Sequence, residues 1–461
     1  MFRRVCQLTP QQLKQQLENT KALLDAIANY QAILPGREVV PSESIPPLNW
    51  TLPQSPRPYD EVLKEIQDKV LPNNINRLHP MFFGYFPVTA SWSAIQGSIL
   101  SKALCTSAFT KYLSPISYEA EMLVSDWFAE MLDLPKFFYN KLGPGGGITY
   151  STSSEATLTA MSCARLEKPN NPIVYTSDQA HFSIEKSARV LGLPLRQIPC
   201  YFNESIGNYS IDVQKLKDQI AKDKAAGLTP AMIVGCMGGT NVCSLDDNTA
   251  LGQLAQDENI WFHVDAAYAG NFGILPEKRH WLKGVEYCTT YNMNSNKMLM
   301  TGIGSSHMWV NDKKYLVRNL SQDSNYLPGG NDVDLKNWQI PLGRECKALS
   351  SWFVIQEFGA EGIRQHLRRY IEAAKVAEDI INADDRLEMF VKRDLSLVVF
   401  RVKGENENTD RVIKKLAKNK KIFMLGSKQY GKSIIRFTPG SYVDGHTNIH
   451  EAFRILKSYL D

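Results

Sequence analysis

Apolar residues first recur at helical spacing at Leu13, Leu17, Leu24 and Ile27. Thr9 stands ahead of them as a capping residue, Pro10 suits the first helical position, and Pro35-Gly36 stops the pattern. This predicts an amphipathic helix whose stripe needs a partner. Prolines at 41, 46, 47, 53 and 56 then forbid regular structure, so residues 35–58 read as an extended strap. Between about residues 140 and 310 the short apolar runs 173–176, 231–236, 260–264 and 306–310 alternate with helical patterns. Such alternation predicts an α/β fold, a mostly parallel sheet wrapped by helices. Past Trp338 a long helical region runs to about Ala383, and the alternating segments 395–402 and 433–438 flank a basic helix near 408–419. That pattern predicts a small α+β unit. The expected division is an N-terminal helix and strap (1–80), a large α/β domain (81–345) and a small C-terminal domain (346–461).

Composition narrows the function classes. The chain has 461 residues, 43% hydrophobic and 22% charged, enough to bury a sizeable core. Lys and Arg number 52 against 48 Asp and Glu, and a formal charge of +4 over this length favours small-molecule partners over nucleic acid or a membrane. The run KKLAKNKK (Lys414 to Lys421) reads as a solvated helix face. Eight cysteines are scattered without a CxxC pair, which argues against a metal site and a disulfide framework and suits a reducing compartment. The N-terminus turns polar early, and no window holds the 18 or so apolar residues of a membrane span. The expected location is cytoplasmic.

In doubly wound sheets ligands sit at the carboxyl ends of strands, and three segments there carry candidate chemistry. GPGGGITYSTSSEAT (Gly143 to Thr157) combines glycines, which let a ligand approach the backbone, with hydroxyls and free amides at a helix start. It lacks the lysine of a Walker loop, and alone it is an ordinary glycine loop with N-caps. In WFHVDAAYAG (Trp261 to Gly270) an apolar strand ends in Asp265, a carboxylate that requires a positive or protonated partner. In YNMNSNKMLM (Tyr291 to Met300) Lys297 lies in a setting able to depress its pKa toward that of an amine nucleophile. A phosphate cradle, then His181 in DQAHFSIEK, then Asp265, then Lys297, is the order a pyridoxal 5'-phosphate (PLP) enzyme needs. The lysine takes the cofactor aldehyde, the aspartate holds the pyridine nitrogen protonated, and the histidine stacks on the ring.

Six ordered motifs carry a resemblance over nearly the whole chain. They are HPMFFGYFP (His79 to Pro87), the Gly143 to Thr157 segment, SDQAHFSIEK, HVDAAYAG, NKMLM and WQIPLGR (Trp338 to Arg344). Together the chain resembles the group II PLP-dependent amino-acid decarboxylases, in their aromatic-L-amino-acid decarboxylase branch. The resemblance implies an aspartate-aminotransferase-like fold of type I with a mostly parallel seven-stranded sheet, and a homodimer clasped by the first helices. It also implies that Lys297 is the Schiff-base lysine, Asp265 the partner of the pyridine nitrogen and His181 the stacking histidine. Ser153, Ser154 and Asn294 match phosphate-contact positions, and Thr240 and Ala267 match positions beside the ring. Tyr326, in DSNYLPGG, falls where a mobile loop carries the tyrosine that returns a proton to the substrate carbon. Tyr85, Phe86, Pro87 and Phe109 match the substrate pocket, and Gly343 stands where a small residue leaves room for a large ring.

The expected reaction is therefore decarboxylation of tyrosine, dopa, tryptophan or phenylalanine to the amine and CO2. The alternatives are an aromatic aldehyde synthase, which adds oxidative deamination, or a decarboxylase of another amino acid such as histidine or glutamate. Three departures stand out. Asn296 replaces the histidine the family usually has before the lysine, the stretch between Tyr326 and Trp338 is shorter and contains Pro328-Gly329-Gly330, and Arg77 stands near a usual tryptophan.

Overall fold

The computed structural model describes residues 8–41, 46–48, 51–321, 334–440 and 447–460. The first helix, α1 (Pro10–Ile33), opens on a reciprocal cap: Thr9 Oγ1 accepts from the Gln12 backbone N–H, and Gln12 Oε1 accepts from that of Thr9. Its stripe finds little cover inside the chain, since Leu13 and Leu17 are 51% and 61% exposed. The strap that follows is tied to the C-terminal part of the molecule, where Lys420 O accepts from the amides of Val39 and Val40.

Helices α2 (Tyr59–Glu65), α3 (Trp92–Leu104) and α4 (Pro115–Leu132) lead into the main sheet. Its strands are β1 (Gly146–Tyr150), β2 (Pro172–Ser177), β3 (Leu195–Ile198), β6 (Thr229–Cys236), β7 (Trp261–Asp265), β8 (Thr290–Met293) and β9 (Ser306–Val310), with a separate hairpin of β4 (Cys200–Asn203) and β5 (Asn208–Ile211). The seven lie in the order β1-β9-β8-β7-β6-β2-β3, and β9 alone runs against its neighbours. The segment 306–310 is thus a strand as expected, but an antiparallel one. Strands β6, β7 and β8 are buried almost throughout because helices cover both faces, which is why they read as continuous apolar runs rather than alternating ones. Helix α5 (Ser153–Glu167) packs on the sheet through small residues, Ala156, Ala160, Cys163 and Ala164. Register sets Cys236 opposite Asp265 and Asp265 opposite Asn292, so three strands end side by side.

Around the sheet lie α6 (Phe182–Val190), α7 (Val213–Ala225), α8 (Asn248–Asp257) and α9 (Lys314–Leu320). The long helical region beyond Trp338 is α10 (Ala348–Asn382), broken at Gly359, whose φ of 61° and ψ of 172° are strained for any side chain but glycine. A second sheet, of order β10-β11-β13-β12, is antiparallel and built from β10 (Leu387–Met389), β11 (Val398–Val402), β12 (Leu425–Gln429) and β13 (Lys432–Phe437). Helices α11 (Asn406–Lys418) and α12 (Thr447–Lys457) accompany it. Helix α11 buries Thr409, Val412 and Leu416 and leaves Lys414 and Lys418 exposed.

Met81 to Phe83, placed by sequence in the large domain, bond to the residues that flank the second sheet, Phe423 just before β12 and Thr438 just after β13. Phe83 N–H donates to Phe423 O, Phe423 N–H to Met81 O, and the Phe83 ring stacks on Phe437 with centroids 4.4 Å apart. The next residues, Tyr85 to Pro87, therefore pass along the seam between the two sheets. Among the described residues no helix is long and apolar enough to cross a membrane, and the described cysteines are free thiols.

Candidate active site

A cavity of about 140 Å³ opens at the carboxyl ends of the central strands. Four connections converge on it, as the strand order requires of a parallel sheet. Strand β2 leads into the loop carrying His181, β6 into Gly238 to Thr240, β7 ends at Asp265, and β8 leads into the single helical turn Ser295–Lys297. The fifth side is the N-terminus of α5, where Thr152 caps the helix by accepting from the Glu155 N–H and Ser153 and Ser154 begin the first turn. Of the residues singled out by sequence, Ser153, Ser154, His181, Thr240, Asp265, Ala267, Asn294 and Lys297 all line this one cavity.

Lys297 sits at the floor. Burial is the largest influence on its ammonium and pulls its pKa down, Arg436 pushes the same way, and Asp265 opposes them. Its turn is pinned from below by hydroxyls: Ser295 Oγ lies 2.7 Å from Ser305 Oγ, 3.1 Å from Thr301 Oγ1 and 3.2 Å from His307 Nε2. Burial lowers the His307 pKa to about 3, so that ring is neutral and serves as packing and hydrogen-bond partner. Asp265 Oδ1 accepts from the Ala267 N–H at 3.1 Å, which fixes the carboxylate's orientation. Two residues earlier, His263 lies fully buried 2.9 Å from Thr290 Oγ1, and burial holds its pKa near 4.

His181 caps α6. Its Nδ1 accepts from the Ser183 N–H at 3.2 Å and lies 2.8 Å from Ser183 Oγ, so the ring's angle is set by its own helix and the Nε2 side is the one free to donate. Burial lowers its pKa, and Asp265 opposes that shift. The loop after β6 turns at Gly238, with φ of 84°. A Cβ at Gly239 would fall 2.1 Å from Ser244 Oγ, so a side chain there would force that hydroxyl to move where the loop folds back to bring Thr240 to the cavity.

The other sequence candidates are placed as follows. Phe86 is buried with its ring centroid 5.0 Å from Lys297 Nζ, and it stacks on Tyr268 at 4.0 Å. Asn296 is buried beside the cavity but outside its wall, its N–H donating to Ser305 O. Tyr85 is half exposed, with φ of 57°, and its ring meets the Arg77 guanidinium at 5.3 Å. Pro87 abuts Gly440, Phe109 is half-buried, and Gly343 is exposed; none of Tyr85, Phe86, Pro87, Phe109 and Gly343 is in the wall of this cavity. Tyr326 lies outside the described residues.

Two participants escaped the sequence reading. Tyr268 lines the cavity, and its hydroxyl lies 2.8 Å from Ser396 Oγ, across the seam. Arg436, on β13 of the small sheet, is buried with its guanidinium carbon 5.3 Å from the Phe86 centroid. Its Nε and Nη2 have no hydrogen-bond partner, and burial pushes its pKa down to about 10. A buried arginine with unmet donors calls for an anion. The signal was present: Arg436 interrupts the apolar run Ile434 to Phe437.

These residues fit a phosphorylated pyridoxal. Asn294 lines the cavity with an amide able to donate, hydroxyls and free amides gather at the start of α5, and a buried amine faces a carboxylate across a cavity of small-molecule size.

Comparison with known proteins agrees. The profile of the pyridoxal-dependent decarboxylase conserved domain matches residues 41–403. Aromatic-L-amino-acid decarboxylase of Mus musculus is 34% identical over 443 residues, covering 90% of this chain and 91% of that protein. Histidine decarboxylase of Mus musculus is also 34% identical, over 91% of this chain and 66% of that protein. The crystal structure of Oryza sativa TDC with PLP and tryptamine superposes with a TM-score of 0.93 at 30% identity, over 98% of this chain and 99% of that one. The chain belongs to the pyridoxal-dependent decarboxylases and is a PLP-dependent amino-acid decarboxylase.

Proposed function

We propose that the substrate is an aromatic L-amino acid, released as the corresponding amine and CO2. The observation that carries this reading is the Phe86 ring, 5.0 Å from Lys297 Nζ and stacked on Tyr268, which sets a flat apolar surface beside the reacting amine. The similarity to the mouse aromatic-L-amino-acid decarboxylase supports it. A histidine substrate is the second reading, favoured by the equal similarity to the mouse histidine decarboxylase.

PLP, when bound, supplies a ring that accepts the electron pair left by the departing carboxylate. In our reading the protein does the rest. Ser153, Ser154, Asn294 and the α5 amides hold the phosphate, and Thr240 and Ala267 border the ring. Asp265 keeps a proton on the pyridine nitrogen, and His181 closes the opposite face of the ring. Lys297 would hold the cofactor through its aldehyde. Arg436 would offer positive potential for the substrate carboxylate and so help orient the substrate. Tyr326 then returns a proton to the substrate carbon before dioxygen reaches it. A misplaced Tyr326 would give the aldehyde-forming alternative.

We further propose that the working unit is a homodimer in which a second copy covers the exposed Leu13 and Leu17 of α1. Sedimentation of the cofactor-loaded protein should show a dimer at micromolar concentration; a monomer would overturn this part. The substrate assignment is tested by product analysis on a panel of aromatic, histidine and glutamate substrates, where amine from an aromatic one is the expected result.

A further inference from the structure

Lys347 is a half-buried lysine that precedes α10 and reaches across to the start of α5. Its Nζ donates to Ser151 Oγ at 2.6 Å, one residue before the Thr152 cap. Among the described residues no carboxylate lies in ion-pair contact with it. The neighbouring charges are otherwise engaged. Arg344 is fully buried against Glu121 at 2.6 Å, Glu345 pairs with Lys102, and Glu155 Oε2 accepts from the Ser151 N–H at 2.9 Å. Burial is the largest influence on the Lys347 ammonium and lowers its pKa; Arg344 adds to this, while Glu155, Glu121 and Glu345 oppose it.

A cation beside a helix N-terminus has the wrong sign, because the free amides there already carry partial positive charge. The arrangement makes sense if an anion completes it. The cavity wall at the start of α5 offers neutral hydroxyls and an amide (Ser153, Ser154 and Asn294), and Asn296 is uncharged as well. Among the described residues Lys297 is the one lysine in the wall, and the proposed function assigns it to the cofactor's aldehyde.

We propose that Lys347 is a positioning residue for the cofactor phosphate: through Ser151 and the Thr152 cap it orients the α5 cradle and supplies the positive charge that the cradle's own side chains lack. This rests on the placement of the phosphate at Ser153 and Ser154.

The test compares binding of PLP with binding of pyridoxal, which lacks the phosphate, to the cofactor-free protein, followed by visible absorbance. Lys347→Met should weaken PLP binding about tenfold while changing pyridoxal binding less than about twofold, and Lys347→Arg should recover all but about threefold of the loss. Should Lys347→Met fail to fold, Lys347→Gln carries the same test, since it retains a donor to Ser151 and lacks the charge. Equal weakening of both ligands would mean a merely structural role and overturn the proposal, as would unchanged PLP binding. Ser154→Ala, measured alongside, separates the two levels. If it alone shifts the preference for PLP over pyridoxal, the cradle stands and Lys347 has no part in it; if neither variant shifts it, the cradle is misplaced and the proposal falls with it.

Discussion

Lys297→Ala should abolish turnover and the visible absorbance of bound cofactor together, with activity falling by roughly four orders of magnitude or more. No other amine lines the cavity among the described residues, so no neighbour can take its place at the aldehyde. The same side chain sets a pH dependence. A free amine is the nucleophile, and burial together with Arg436 moves the Lys297 pKa below the ordinary lysine value despite the pull of Asp265. Cofactor capture by the cofactor-free protein should therefore rise with pH and level off below about 10.4, the value of an unperturbed lysine. Full activity in the alanine variant would remove the mechanism, and capture that keeps rising through the ordinary lysine range would contradict the role given to burial.

Asp265→Asn is the second large effect, a loss on the order of a thousandfold in kcat with the protein still folded and still able to take up PLP. The amide retains an acceptor for the Ala267 N–H, which Asp265 Oδ1 now receives at 3.1 Å, so the local backbone keeps its hydrogen bond. What it loses is the negative charge that, in the proposed reading, would keep a proton on the ring nitrogen and so sustain the ring's capacity to accept electrons. Steady-state kinetics and cofactor absorbance on one preparation check this. A variant that loses cofactor and activity in step would instead make Asp265 a binding residue alone.

Much of this arrangement is legible in the amino-acid sequence, for a physical reason. A parallel sheet gathers the ends of its strands on one edge, so residues immediately after β2, β6, β7 and β8 meet even though more than a hundred positions separate them. His181, Thr240 and Asp265 each follow a recognisable apolar run, and that placement is local, whereas the short strand β8 ahead of Lys297 carries no such run in the sequence. Arg436 and Tyr268 were not legible in the same way. Arg436 comes from the small sheet, whose docking onto the large one depends on the seam occupied by Phe86, and no local pattern encodes that docking. The direction of β9 was likewise hidden, because a short buried run such as Ser306–Val310 looks the same in either orientation. The contacts of Met81 to Phe83 with residues beside the small sheet were hidden for a related reason. Their bonds to Phe423 and Thr438 close a loop of more than three hundred residues. Phe109 and Gly343 match pocket positions by motif yet lie outside the cavity wall of the single chain.

The central claim is the reaction and the class of its substrate, and one measurement addresses both. The PLP-loaded protein is incubated in air with tyrosine, dopa, tryptophan, phenylalanine, histidine and glutamate separately, and amine, aldehyde and peroxide are quantified. The account predicts stoichiometric amine and CO2 from at least one aromatic substrate, without peroxide. Aldehyde with peroxide would contradict the role given to Tyr326, and amine from histidine or glutamate alone would contradict the reading of the pocket around Phe86.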